Sequence, residues 1–149
     1  PARHTLFAFA ALASIIGTAH AANPTMFRDA GCGCCLKWLE LVKTSFSAKV
    51  TVVNSPNMDA VKDKQGIPEA LRSCHTVLVG GYVIEGHVPA REIARLLREK
   101  PKGVKGLAVA GMPTGSPGME YRNIRDAYKV MTFGPGGQRV YASYAASGG

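Results

Sequence analysis

Three cysteines fall within four positions, Cys32-Gly33-Cys34-Cys35, and a fourth stands alone at Cys74. A bond between the neighbours Cys34 and Cys35 would strain the peptide joining them. Cys32 and Cys35 have the ordinary Cys-x-x-Cys redox spacing, which leaves Cys34 without an easy local partner. Purely structural disulfides therefore explain the cluster poorly, and two chemistries remain. If the cluster opens a helix, unpaired N–H groups and the helix dipole stabilise thiolate there. Cys32 and Cys35 could then attack and release disulfides, with Cys34 competing as a resolving thiol. The alternative is a soft-metal site, in which several thiolates surround one point. Thiolates and thioethers favour Cu(I); zinc, which a closed tetrahedron of cysteines and histidines would satisfy, is the lesser candidate because the site is sulfur-rich, has methionines downstream and follows an export signal.

Further donors lie downstream. Thr76-Val77-Leu78-Val79 and Tyr82-Val83-Ile84-Glu85 flank Gly80-Gly81, the signature of a two-residue hairpin turn. Counting outward from that turn, Thr76 faces Glu85 and Cys74 faces His87, so a thiol and an imidazole become neighbours if pairing continues that far. Strict alternation sends His75 to the opposite face with Val77 and Val79, making it a second-tier ligand. Met112 and Met119 lie in the loop Gly111-Met112-Pro113-Thr114-Gly115-Ser116-Pro117-Gly118-Met119-Glu120. Placed over the cysteines, that loop would act as a lid carrying two weak Cu(I) ligands. No hydrolase triad, phosphate-binding loop or pair of catalytic carboxylates is present.

The elements that must position these groups follow from periodicity. Cys35, Trp38, Leu39, Val42 and Phe46 mark one helical face, which puts the cysteines in the first turn of an amphipathic helix. Residues 24–28 and 49–54 read as strands, 57–65 as a short polar helix and 69–73 as one further turn. Ile93, Leu96 and Leu97 stripe a helix that starts near Pro89 and ends near Pro101. Residues 103–122 form a long irregular run, 128–133 a last strand and 134–149 a loose Gly-rich tail. The class expected is α/β, a thioredoxin-like sheet with flanking helices and an irregular Gly/Pro-rich C-terminal part.

The chain has 149 residues, 46% of them hydrophobic and 7% aromatic, which suits one domain with an aliphatic core. Arg3, the apolar run Leu6–Gly17 and the Ala-x-Ala site ending at Ala21 read as a signal peptide over residues 1–21. That segment is too short for a membrane span. The expected product is a periplasmic protein without stable membrane insertion, with residues 22–133 as its metal-binding domain. The formal charge of +8 concentrates in Arg91, Arg95, Arg98, Lys100, Lys102 and Lys105. Export favours a solvated helix face over a nucleic-acid surface, and an anionic partner is the third reading.

Four stretches, Cys32-Gly33-Cys34-Cys35 with Trp38, Ser73-Cys74-His75-Thr76, Glu85–Ala90 and Gly111–Glu120, resemble the domain family of unknown function 411, whose copper-resistance members are called CopG. The resemblance implies a periplasmic, thioredoxin-like protein of copper resistance. It also implies a copper–thiolate cluster, of one or several ions, on Cys32, Cys34 and Cys35 with help from Cys74. Partners would be copper ions and other periplasmic copper-handling proteins. Many relatives carry a histidine three residues after the tryptophan, where this chain has Leu41.

Overall fold

Residues 23–148 are described by a computed structural model; the expected signal segment lies outside them. β1 (Thr25–Arg28) runs into α1 (Gly33–Val42), which is followed by a 3-10 turn, β2 (Thr51–Asn54) and α2 (Met58–Lys64). A second 3-10 turn over Glu69–Leu71 precedes the hairpin of β3 (His75–Val79) and β4 (Tyr82–Glu85). Then come α3 (Ala90–Glu99), β5 (Gly106–Ala108), β6 (Tyr128–Phe133) and β7 (Arg139–Tyr144). The result is a mixed α/β fold around one seven-stranded sheet in the order β2-β1-β3-β4-β5-β6-β7. β1/β2 and β4/β5 pair in parallel and the other neighbours are antiparallel.

The amphipathic stripe of α1 does what its spacing predicts, burying Cys35, Trp38, Leu39 and Val42. These pack with Met26, Val77, Ile84, Ile93 and Leu96 on one face of the sheet. The other face holds a smaller cluster of Ile67, Leu71, Val83, Ala108 and Phe133. Burying two separate apolar layers against one sheet is the main stabilising term for such a layered domain.

The hairpin register is the one expected from the Gly80–Gly81 turn, with Thr76 opposite Glu85 and Val77 opposite Ile84. Two stretches differ from the sequence reading. Residues 106–108 form β5 inside the run expected to be irregular, with Gly106 so close under β4 that a Cβ would meet the Val83 carbonyl oxygen. The segment 134–149, expected as a loose tail, contains β7, which pairs with β6 across a bulge at Val130/Met131. β7 is held by tertiary contacts: Tyr144 stacks on Tyr128, its hydroxyl donates to Glu92, and Arg95 lies over Tyr141. Among the described residues, no helix is long and apolar enough to cross a membrane.

Candidate metal centre

The turn between β1 and α1 is built before the cysteines arrive. Buried Arg28 donates to the carbonyls of Asp29 and Ala30, and the Asp29 carboxylate accepts the Gly31 N–H. Cys32 then takes the cap position of α1 with no side-chain hydrogen bond capping the helix. The first-turn N–H groups are thus left without a side-chain cap, and the helix N-terminus favours negative charge on the sulfurs beside it. Cys35 is fully buried, while Cys32 and Cys34 are half-buried.

Cys74 comes to the same place from the other side, on the bend just before β3. The sulfurs of Cys32, Cys34, Cys35 and Cys74 lie within 4.8 Å of one another. A second group, Cys74, His75 and His87, is equally tight. Cys74 belongs to both. Its Sγ lies 3.0 Å from His87 Nε2 and 3.3 Å from His75 Nδ1. The predicted neighbours Cys74 and His87 are therefore in contact.

His75 lies on the face of Val77, as expected, but the expected separation of Cys74 and His87 from it is corrected. Its ring packs 4.2 Å from that of Trp38, on the α1 face as alternation requires, yet Cys74 and His87 join it there. Cys74 precedes the first residue of β3 and His87 follows the last residue of β4, so neither obeys strand alternation. Gly86 makes the departure possible, with φ +73 and a Cβ position already filled by Ser73 and the Val109 carbonyl.

The imidazoles are set up as ligands. A carbonyl oxygen can only accept, so the 2.7 Å contact from His87 Nδ1 to Pro117 O puts the ring proton on Nδ1. Nε2 is left with its lone pair toward Cys74. Burial lowers the pKa of both rings, for His75 well below 6.5. They stay neutral and able to bind a cation near neutral pH. His75 Nε2 is buried without a hydrogen-bond partner. Burial, together with the neighbouring Cys34, pushes the Cys74 thiol up to about 11, so it keeps its proton until a cation displaces it.

The loop 111–120 does lie against this end of the fold. Gly118 packs on the Trp38 backbone where a Cβ would sit 2.9 Å from the amide nitrogen, and Lys37 of α1 pairs with Glu120 at 3.1 Å. Met119 is half-buried and Met112 is 51% exposed. Leu41, where relatives have histidine, is an exposed residue about 9 Å further along α1 than Cys35 at 1.5 Å per residue. It borders a cleft with Pro89, Pro117 and Glu120.

Cys32 and Cys35 are joined in a disulfide, with Cα atoms 5.5 Å apart, while Cys34 and Cys74 are free. That separation suits a disulfide. In this form only two of the four sulfurs can become thiolates. A four-sulfur donor set requires reduction of Cys32–Cys35. The donors match a soft cation, since sulfur and neutral imidazole converge and no carboxylate joins either group among the described residues. Sequence reasoning missed the Pro117 carbonyl as the group orienting His87, because a backbone acceptor leaves no trace in residue type.

The profile of the family described as "Protein of unknown function, DUF411" matches residues 71–119, which include Cys74, both imidazoles and the methionine loop. Two solved structures described as copper resistance protein CopG are similar along nearly their whole length. Form 1 is 39% identical, with 85% of this chain and 99% of that chain covered and a TM-score of 0.76. Form 2 is 41% identical, with 82% and 97% covered and a TM-score of 0.75. No curated protein matches.

Proposed function

Because the chain belongs to the DUF411 family of copper resistance protein CopG, we propose that it is a periplasmic Cu(I)-binding protein of copper homeostasis. It holds the ion among the cysteine thiolates at the start of α1. The observation that carries this reading is the convergence on Cys74: three further sulfurs on one side, two neutral imidazoles on the other. Soft sulfur with one or two imidazoles suits Cu(I) better than a hard cation. An external thiol reductant opens the Cys32–Cys35 disulfide by supplying two electrons and two protons. Those two protons and the thiol protons of Cys34 and Cys74 then leave as copper binds the four thiolates. What supports the thioredoxin-like reading is the order β2-β1-β3-β4, with a parallel β1/β2 pair, an antiparallel β3/β4 hairpin and the cysteines directly after β1.

Competition of the reduced protein with a chromophoric Cu(I) chelator tests the reading. Tight binding with a stoichiometry that drops in Cys34→Ser is expected; weak binding, or no change in that variant, sinks it. Periplasmic location rests on the apolar leader and is tested by cell fractionation with sequencing of the mature N-terminus, expected after Ala21.

The disulfide itself favours a second reading, a thiol–disulfide oxidoreductase that uses Cys32 and Cys35. Half-buried Cys32 would exchange with the substrate and buried Cys35 would resolve. Disulfide reductase activity that persists in metal-free Cys34→Ser protein would favour this reading over copper binding.

A further inference from the structure

On the far side of the sheet from α1, the fold buries an ion pair beneath the Cys74 segment. Lys62 of α2 and Glu85 of β4 meet at 2.5 Å, with side chains 5% and 0% exposed. Thr76, opposite Glu85 in the hairpin, donates to Glu85 Oε2 at 2.6 Å and accepts from Lys62 at 3.1 Å. The same face of the sheet carries the apolar cluster of Val83, Leu71, Ile67 and Phe133. A buried ion pair is a poor stability device, since apolar residues of similar volume usually serve as well.

The remaining bond of this network points to another role. Glu85 Oε1 also accepts the backbone N–H of Ser73, at 2.8 Å. Ser73 precedes Cys74 in a stretch with no regular structure, so this bond sets where the Cys74 peptide runs. Ser73 Oγ in turn donates to the Gly111 carbonyl, and the Gly111 N–H donates to the Arg72 carbonyl at 3.0 Å. One carboxylate thereby anchors both the shared sulfur and the root of the methionine loop.

We propose that Glu85, held by Lys62 and Thr76, is the positioning residue of the copper site, fixing Cys74 through the Ser73 N–H. The proposal rests on the copper reading for its consequence and on the hydrogen-bond network for its geometry. Glu85 touches no donor atom of the centre and acts through Ser73.

Two double variants of the full chain test it. K62M/E85L removes the ion pair and the acceptor together, placing apolar side chains at two buried positions. K62M/E85Q removes the charges but leaves an amide oxygen for Ser73. Cu(I) affinity, measured against a chelator, is expected to fall about 10- to 100-fold in K62M/E85L, the usual cost of losing an outer-shell partner. The conservative K62M/E85Q variant should rescue most of that loss. A second readout needs no metal: iodoacetamide should alkylate Cys74 of the reduced protein severalfold faster in K62M/E85L, and K62M/E85Q should reverse this.

Wild-type values of both quantities in K62M/E85L overturn the proposal. So does a loss that glutamine fails to rescue, because the charge and not the acceptor would then be acting. If the wild-type protein binds no Cu(I), the copper reading falls, and the alkylation rates alone decide whether Glu85 positions Cys74. Should K62M/E85L fail to fold by circular dichroism, Ser73→Pro replaces it and is held to the same two outcomes. Proline lacks the N–H, leaves the ion pair in place, and follows an Arg72 already extended at φ −70, ψ 147. Ser73→Ala, which loses only the hydroxyl and its bond to Gly111, is its control and should keep near-wild-type values.

Discussion

Cys32, Cys34 and Cys35 ride on an uncapped helix start, two of them half-exposed and two of them disulfide-bonded, whereas His75 and His87 are fully buried rings held by Trp38 and by the Pro117 carbonyl. The sulfur wall can pass between disulfide, thiol and thiolate while the helix behind it stays put. The imidazole wall is a fixed template with its protonation already settled. The contrast assigns the two walls different sensitivities. Redox conditions should govern the first, and acidity the second.

The largest effect should come from removing what the walls share. Cys74→Ser is expected to lower Cu(I) affinity by more than the roughly 10–100-fold typical of outer-shell changes, as measured by chelator competition. A smaller loss than that of Cys34→Ser would mean that Cys74 is not common to both groups. His87→Gln, which strikes the imidazole wall alone, should cost about tenfold to a hundredfold, like other changes that disturb ligand orientation. Its Cys32–Cys35 reduction potential should stay at the wild-type value, and a shifted potential would show that the walls are not separable.

Acid offers a third way to divide them. Burial lowers the pKa of His75 and His87 in the folded state, while the unfolded chain titrates near 6.5. The stability they contribute is therefore complete above about pH 6.5 and is lost as the pH falls below it. The loss follows the extra protons that the unfolded chain takes up, and His75, the more strongly lowered, contributes more of it than His87. Thermal melts of metal-free protein from pH 7.5 to 5.5 should show the decline, and His75→Gln should flatten it. The smallest effect belongs to the loop clasp. Lys37 and Glu120 are both about half-exposed, so Lys37→Ala should change stability by no more than ~1 kcal/mol. A larger shift in the melt would mean that the loop is fastened at that ion pair and not at Gly118 and Pro117.

Much of this centre could be read from residue spacing, for identifiable reasons. The Gly80–Gly81 turn pins the hairpin register as far as Thr76 and Glu85, which brings Cys74 and His87 to the same end of the hairpin, where the turn at Gly86 completes their contact. The helical stripe from Cys35 to Phe46 fixes which side of α1 is buried and leaves the first-turn cysteines at its mouth. The face of His75 relative to Cys74 was misjudged because alternation stops at the strand ends, where Gly86 turns the chain. β5 and β7 were missed because neither carries a strand pattern of its own. One is three residues lying under Val83, and the other is a largely exposed edge strand fastened by tyrosines to α3. Glu85 looks in sequence like an ordinary polar position on a strand. Only the approach of Lys62 from α2 shows it to be buried.

Cys74 has one further consequence, which concerns thermodynamic coupling. A sulfur common to two donor groups makes their occupancies dependent on each other. An ion among the four sulfurs alters the electron density and position of the atom that a second ion, between the imidazoles, would use. By linkage the effect is equal in both directions. Filling the centre with more than one ion would then follow a curve that two independent sites cannot produce, and its steepness would report on a single side chain.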